Sequence, residues 1–119
     1  MTSPWPKQVV LCDVSPRDGL QNECKLVSTP QKIALVQGLM NAGLPRIEVT
    51  SFVSPKAIPQ MADAHDVMQG ITRKPGVALV VLVPNQKGAE RALACAPDEL
   101  NLVMSVTGSH SQANLRMCP

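Results

Sequence analysis

The sequence predicts an α/β fold with parallel strands, either a small doubly wound sheet or half of a (β/α)8 barrel. Three observations lead there. Short β-branched or apolar runs alternate with segments of helical periodicity in the order βαβαβαβ. The repeat is roughly thirty residues, as for right-handed crossover units. The run "VALVVLV" (77–83) is apolar throughout, as expected of a strand covered on both faces.

Each element has its own local signal. Val9–Val14 is the first strand pattern, followed by the polar loop "SPRDGLQNE" (15–23). Residues 28–45 read as a helix: Ser28 or Thr29 can cap it, Pro30 suits its first turn, and Gly43 and Pro45 end it. Ile33, Val36, Leu39 and Met40 form its apolar stripe. "RIEVTSF" (46–52) is the second strand, and residues 60–71 form a helix with Met61, Ala64, Val67, Met68 and Ile71 on one face. The third strand, 77–83, is followed by a helix over 85–96 and a fourth strand, "ELNLVMSV" (99–106). The tail "TGSHSQANLRMCP" begins as loop. The loops after strands carry more reactive groups than the turns before them, which puts chemistry at the strand C-terminal ends in either fold. No G-x-G-x-x-G or G-x-x-x-x-G-K follows a strand, so nucleotide-binding sheets lose support.

Composition excludes several functions. The 119 residues suit one domain, with 1–7 expected to be a flexible leader. Hydrophobic residues make up 45%, enough for a packed core. Trp5 and Phe52 are the only aromatic residues, and the net charge of +2 comes from scattered cations. Neither base stacking nor an electrostatic footprint for nucleic acid or membrane follows. Cys12, Cys24, Cys95 and Cys118 make no C-x-x-C and have no histidine at zinc-finger spacing. No signal peptide or membrane span is evident, so free thiols in a reducing cytoplasm are expected.

The candidate chemistry centres on Arg17, Asp18 and Glu48. Period-two alternation turns Ile47 and Val49 one way and Glu48 and Thr50 the other. If both faces are covered, Glu48 is an interior carboxylate that requires a partner, and Arg17 at the preceding strand end is the natural one. If the strand end is exposed, both are solvated. Asp18 before Gly19 is ordinary turn chemistry, or else one oxygen ligand for a hard divalent cation. His65 reads as a helix-surface residue, and His110 after the fourth strand is the better histidine candidate. Cys12 and Cys95 read as structural, and Cys24 has no local reason for a lowered pKa.

The segments "SPRDGLQNE" (15–23), "AGLPRIEVTSFVSPKAIPQMAD" (42–63) and "VPNQKGAERAL" (83–93) closely resemble the 3-hydroxy-3-methylglutaryl-CoA lyase family, from about residue 7 to the end. "SHSQANLRM" is similar to its bacterial branch. The wider superfamily of metal-dependent Claisen enzymes shares the Arg-Asp-Gly element, while "TSFVSPK" and "PQMAD" resemble the lyases in particular.

The resemblance implies a TIM barrel, here its N-terminal half with four βα units. It implies divalent-metal-dependent cleavage of 3-hydroxy-3-methylglutaryl-CoA to acetoacetate and acetyl-CoA, within leucine breakdown and ketone-body formation. Carried over by position, Arg17 would stabilise the thioester enolate and Glu48 would fix Arg17. Asp18 would ligate Mg²⁺ or Mn²⁺, Gln21 would approach the metal-bound water or substrate, and Ser51 would line the acyl-CoA pocket. The family's H-x-H ligands, the asparagine after them and a cysteine in a Gly-rich loop have no counterpart here; His65, His110 and Cys118 are not those residues. The chain is therefore expected to be inactive alone and to self-associate, as a dimer or otherwise, through bare strand edges. The alternatives are a related Claisen condensing enzyme, such as an isopropylmalate or homocitrate synthase, and a non-catalytic half-barrel.

Overall fold

A computed structural model of the chain describes residues 3–107. Its four strands are β1 (Cys12–Asp13), β2 (Arg46–Ser51), β3 (Ala78–Val83) and β4 (Glu99–Leu102), and they pair in parallel in sequence order, β1-β2-β3-β4. Between them lie helices α1 (Thr29–Asn41), α2 (Ala64–Gly70) and α3 (Gln86–Leu93). Val36 and Met40 of α1, Ala64, Val67 and Met68 of α2 and Ala92 of α3 share one buried cluster with Ile47, Val49, Leu79, Val81 and Val83. All three helices therefore cover the same face of the sheet. A doubly wound sheet reverses its strand order and takes helices on both faces. Sequential order with helices on one face is barrel geometry, which resolves the ambiguity that periodicity left.

The helix ends follow the sequence closely. The Ser28 side chain accepts from the Gln31 backbone N–H, and the Gln31 side chain accepts from the Ser28 N–H, a complete capping box. Gly43, two residues past α1, has a φ of +92°, a conformation that side-chain-bearing residues rarely adopt. Asn85 caps α3 by accepting from Gly88 N at 2.9 Å. Gly88 itself is required by contact: a Cβ there would lie 2.6 Å from the Phe52 carbonyl oxygen.

Four expectations need correction. The first strand was expected over 9–14, but only Cys12–Asp13 pair, because β1 is an edge with a neighbour on one side. Val9, Val10 and Leu11 are exposed. The helix expected over 60–71 starts at Ala64, after a 3₁₀ turn over Pro59–Met61. β4 ends at Leu102 rather than 106; Leu102 is exposed although it pairs with Val83, and Val103, Met104 and Val106 are exposed beyond the ladder. The "SPRDG" loop is itself helical, a five-residue π-type turn over Ser15–Gly19.

The most consequential difference is in β2. Glu48 pairs with Val80, but Thr50 pairs with Val81 and Ser51 with Leu82, so an extra residue is inserted at Val49. This β-bulge breaks the expected alternation. Thr50 falls on the side of Val81, within the helix-covered core, while Ser51 joins Glu48 on the inner face. Strict period two would have set Glu48 and Ser51 on opposite faces. On the inner face of β3, Val80 and Leu82 are both buried.

Candidate functional site

The turn after β1 delivers the first site residues. Asp13 Oδ1 accepts from Ser15 N at 2.8 Å and from Ser15 Oγ at 2.6 Å, and Asp18 N donates to Val14 O at 2.7 Å. With the turn so closed, Arg17 reaches over the strand ends to β2. Its Nε donates to Glu48 Oε1, and its Nη1 donates to Asp18 Oδ1 at 3.2 Å. Its Nη2 has no protein acceptor among the described residues and is left for something else to use. The Glu48 carboxylate is 4% exposed, so its charge must be compensated, and Arg17 is the compensation. The sequence left solvated and interior readings of this pair open; the structure has the interior one.

A second donor also holds Glu48. Asn101 Nδ2, from β4, donates to Glu48 Oε2 at 3.2 Å. The sequence reading missed Asn101, although the alternation of Glu99 and Asn101 with Leu100 and Leu102 is as regular as in any strand of the chain. One layer lower, Arg46 Nη2 pairs with Glu99 Oε2, so the inner face carries two cation–carboxylate layers.

Asp18 is the most accessible member, with about half its side chain (54%) exposed. Asn22 Nδ2 donates to its backbone oxygen at 2.9 Å and to its Oδ1 at 3.4 Å. Gln21 Oε1 and Ser51 Oγ are buried without any hydrogen-bond partner. Polar atoms in that condition are rare in folded proteins and mark places where a ligand or solvent completes the bonding.

The two site loops are tied together by a buried lysine. Lys32, on α1, donates through Nζ to Gln60 O and to Asp63 Oδ1 at 2.6 Å, while Thr29 Oγ1 donates to Asp63 Oδ2 at 2.5 Å. Gln60 Nε2 then donates to Glu23 O at 2.9 Å. The "PQMAD" segment is thereby bonded both to α1 and to the loop that carries Arg17, Asp18 and Gln21.

The remaining candidates lie elsewhere. His65 is on the exposed side of α2, with Nδ1 3.2 Å from the Cys95 thiol, in the helical layer rather than at the strand ends. Burial pushes the Cys95 thiol up, which keeps it in the unreactive protonated form. Cys12, Cys24 and Cys95 are free thiols. His110 and Cys118 fall outside the described residues. Among the described residues there is no group of three or more His, Cys, Asp or Glu side chains that could hold a metal, and no helix is long and apolar enough to cross a membrane.

The fold and site define a partial α/β barrel with a buried carboxylate–guanidinium pair and an open carboxylate at its strand C-terminal end. The HMGL-like family model matches residues 8–119, and the chain belongs to that family. It is 51% identical over 109 residues to the mitochondrial hydroxymethylglutaryl-CoA lyase of Mus musculus, covering 92% of this chain and 34% of that protein. It is 46% identical over 112 residues to hydroxymethylglutaryl-CoA lyase YngG of Bacillus subtilis, covering 94% of this chain and 38% of the relative. The HMG-CoA lyase of Acinetobacter baumannii, solved in complex with coenzyme A and 3-methylmalate, superposes with a TM-score of 0.90 at 50% identity, over 92% of this chain and 36% of that one. The chain thus spans about a third of the length of these relatives.

Proposed function

We propose that this chain supplies the first part of the active site of a 3-hydroxy-3-methylglutaryl-CoA lyase. The observation that carries this reading is Arg17, held by buried Glu48 at the barrel mouth beside Asp18, with one nitrogen uncommitted. Cleavage breaks the bond between C2 and C3 of the acyl group. The C3 hydroxyl loses its proton and becomes the ketone of acetoacetate, and the bonding pair moves to C2 as the enolate of acetyl-CoA. A proton delivered to C2 completes the balance. A fixed cation at the thioester oxygen stabilises that enolate in proportion to how little it must reorganise. The guanidinium meets this requirement because Glu48 and Asp18 already orient it. Ser51 Oγ, brought to the same face by the bulge, and Gln21 Oε1 are available to bond the acyl group.

A hard divalent cation fits Asp18 as a single monodentate oxygen ligand, since its carboxylate is accessible and at the mouth. The described residues do not complete the set of about six that Mg²⁺ requires. Such a cation would supply acidification of the C3 hydroxyl. The three free thiols suit the cytoplasmic setting expected from composition.

The test is a chimera in which residues 8–107 replace the matching segment of the Bacillus subtilis relative. It should cleave the acyl-CoA thioester, and Arg17→Lys in it should lose about 10²–10³ in kcat, because an ammonium cannot reproduce the guanidinium fork. Near wild-type kcat in Arg17→Lys would remove the assigned role.

A further inference from the structure

We propose that Asn101 is a positioning residue, fixing the Arg17 guanidinium by locking the carboxylate it is paired with. β4 turns Glu99 and Asn101 to the inner face while Leu100 packs against the helical core. The register sets Asn101 beside Leu82, the partner of Ser51, so it stands on the far side of β3 from Glu48. Its Nδ2 reaches back across β3 to Glu48 Oε2 at 3.2 Å, while Arg17 Nε holds Oε1.

A carboxylate bonded at one oxygen alone keeps the freedom of its terminal torsion, which is broad and roughly two-fold. Turning about that torsion moves the oxygen that faces Arg17, and the guanidinium plane with it. A donor on the second oxygen removes the freedom. The amide must present its nitrogen, because its oxygen would set two acceptors against each other. Asn101 itself is on the exposed edge strand, so its side chain fills no part of the core. Its contribution is orientation rather than packing.

Only the consequence for turnover rests on the lyase reading; the locking of Glu48 does not. The experiment therefore has two arms. In the full chain labelled with ¹⁵N-arginine, hydrogen exchange at Arg17 Nε–H is read by NMR. Asn101→Leu should speed that exchange about tenfold, as expected when one charge-assisted bond of a network is removed. Backbone protection in β2 and β3 should stay unchanged, and Asn101→Gln should restore the slow exchange. Unaltered exchange in Asn101→Leu, or acceleration shared by all sheet amides, would overturn the positioning role. In the chimera, Asn101→Leu should lower kcat several-fold with KM within about twofold of the parent, and Asn101→Gln should recover it. Equal kcat in an active chimera overturns the proposal as well. An inactive parent chimera counts against the lyase reading, and the exchange arm then decides the positioning role.

Discussion

Removing the Glu48 charge should destabilise the barrel by more than removing both charges of its pair. Glu48 is 4% exposed, and the Arg17 side chain is 18% exposed. Glu48→Leu leaves Arg17 largely desolvated, facing an apolar side chain. Breaking a fully buried pair from one side costs about 3–5 kcal/mol. Arg17 keeps some water and its 3.2 Å bond to Asp18, and such solvent contact screens a charge, so about 2–3 kcal/mol is the appropriate figure here. With an m-value of about 2–3 kcal/mol per M urea, the unfolding midpoint of the chimera falls by about 1 M. Replacing both residues, Arg17→Met with Glu48→Leu, removes the stranded charge. Apolar replacement of a buried pair is often neutral, so the double variant should return to within about 1 kcal/mol of the parent. Two results would refute this reasoning. One is a Glu48→Leu variant as stable as the parent; the other is a double variant whose loss equals the sum of the single losses.

Three further outcomes are expected. The isolated chain should bind Mg²⁺ or Mn²⁺ no more tightly than about millimolar, because Asp18 supplies one monodentate oxygen, and Asp18→Asn should abolish even that; calorimetry showing micromolar binding would contradict it. The chain should associate through its two edges, where Val10 and Leu102 are exposed, so light scattering after size exclusion should give a mass above one copy, reduced by Val10→Lys with Leu102→Lys. A monodisperse single copy at all concentrations would argue against this. Gly88→Ala sets a Cβ 2.6 Å from a backbone carbonyl, and overpacking of that kind should cost about 1–3 kcal/mol, read as a lower midpoint in urea.

Parallel strands and crossover helices were legible because periodicity, capping residues and glycine stops agree along most of the chain. The limits of the edge strands were not. Val9–Leu11 has the composition of a strand, but pairing needs neighbours, and β1 has only β2. The Arg17–Glu48 pair was anticipated from the cost of an interior carboxylate, a cost that acts wherever such a group is buried. Asn101 and Lys32 escaped notice for the same reason: each bonds a residue distant in sequence, Glu48 or Asp63, and no local pattern announces that partner. Lys32 also follows Gln31 one place before Ile33, where it reads as the polar flank of the α1 stripe, although the structure buries it. The bulge at Val49 left no mark, since "RIEVTSF" is as compatible with a regular ladder as with an interrupted one.

The bulge frees the facing of Ser51 from the length of β2. A conservative exchange at Val49 alters only how the helical layer fits together. Deleting Val49 would leave a regular ladder in which Thr50 still pairs with Val81 toward the helices and Ser51 with Leu82 toward the mouth beside Glu48. The core would give up one buried side chain and the mouth would keep its hydroxyl. The damaging change is the opposite one: with all four residues of "EVTS" paired one for one, Ser51 would turn into the helical layer and Thr50 inward. A relative with a one-residue gap at Val49 would therefore present the same hydroxyl beside Glu48, and a relative that keeps four residues there must keep the bulge as well.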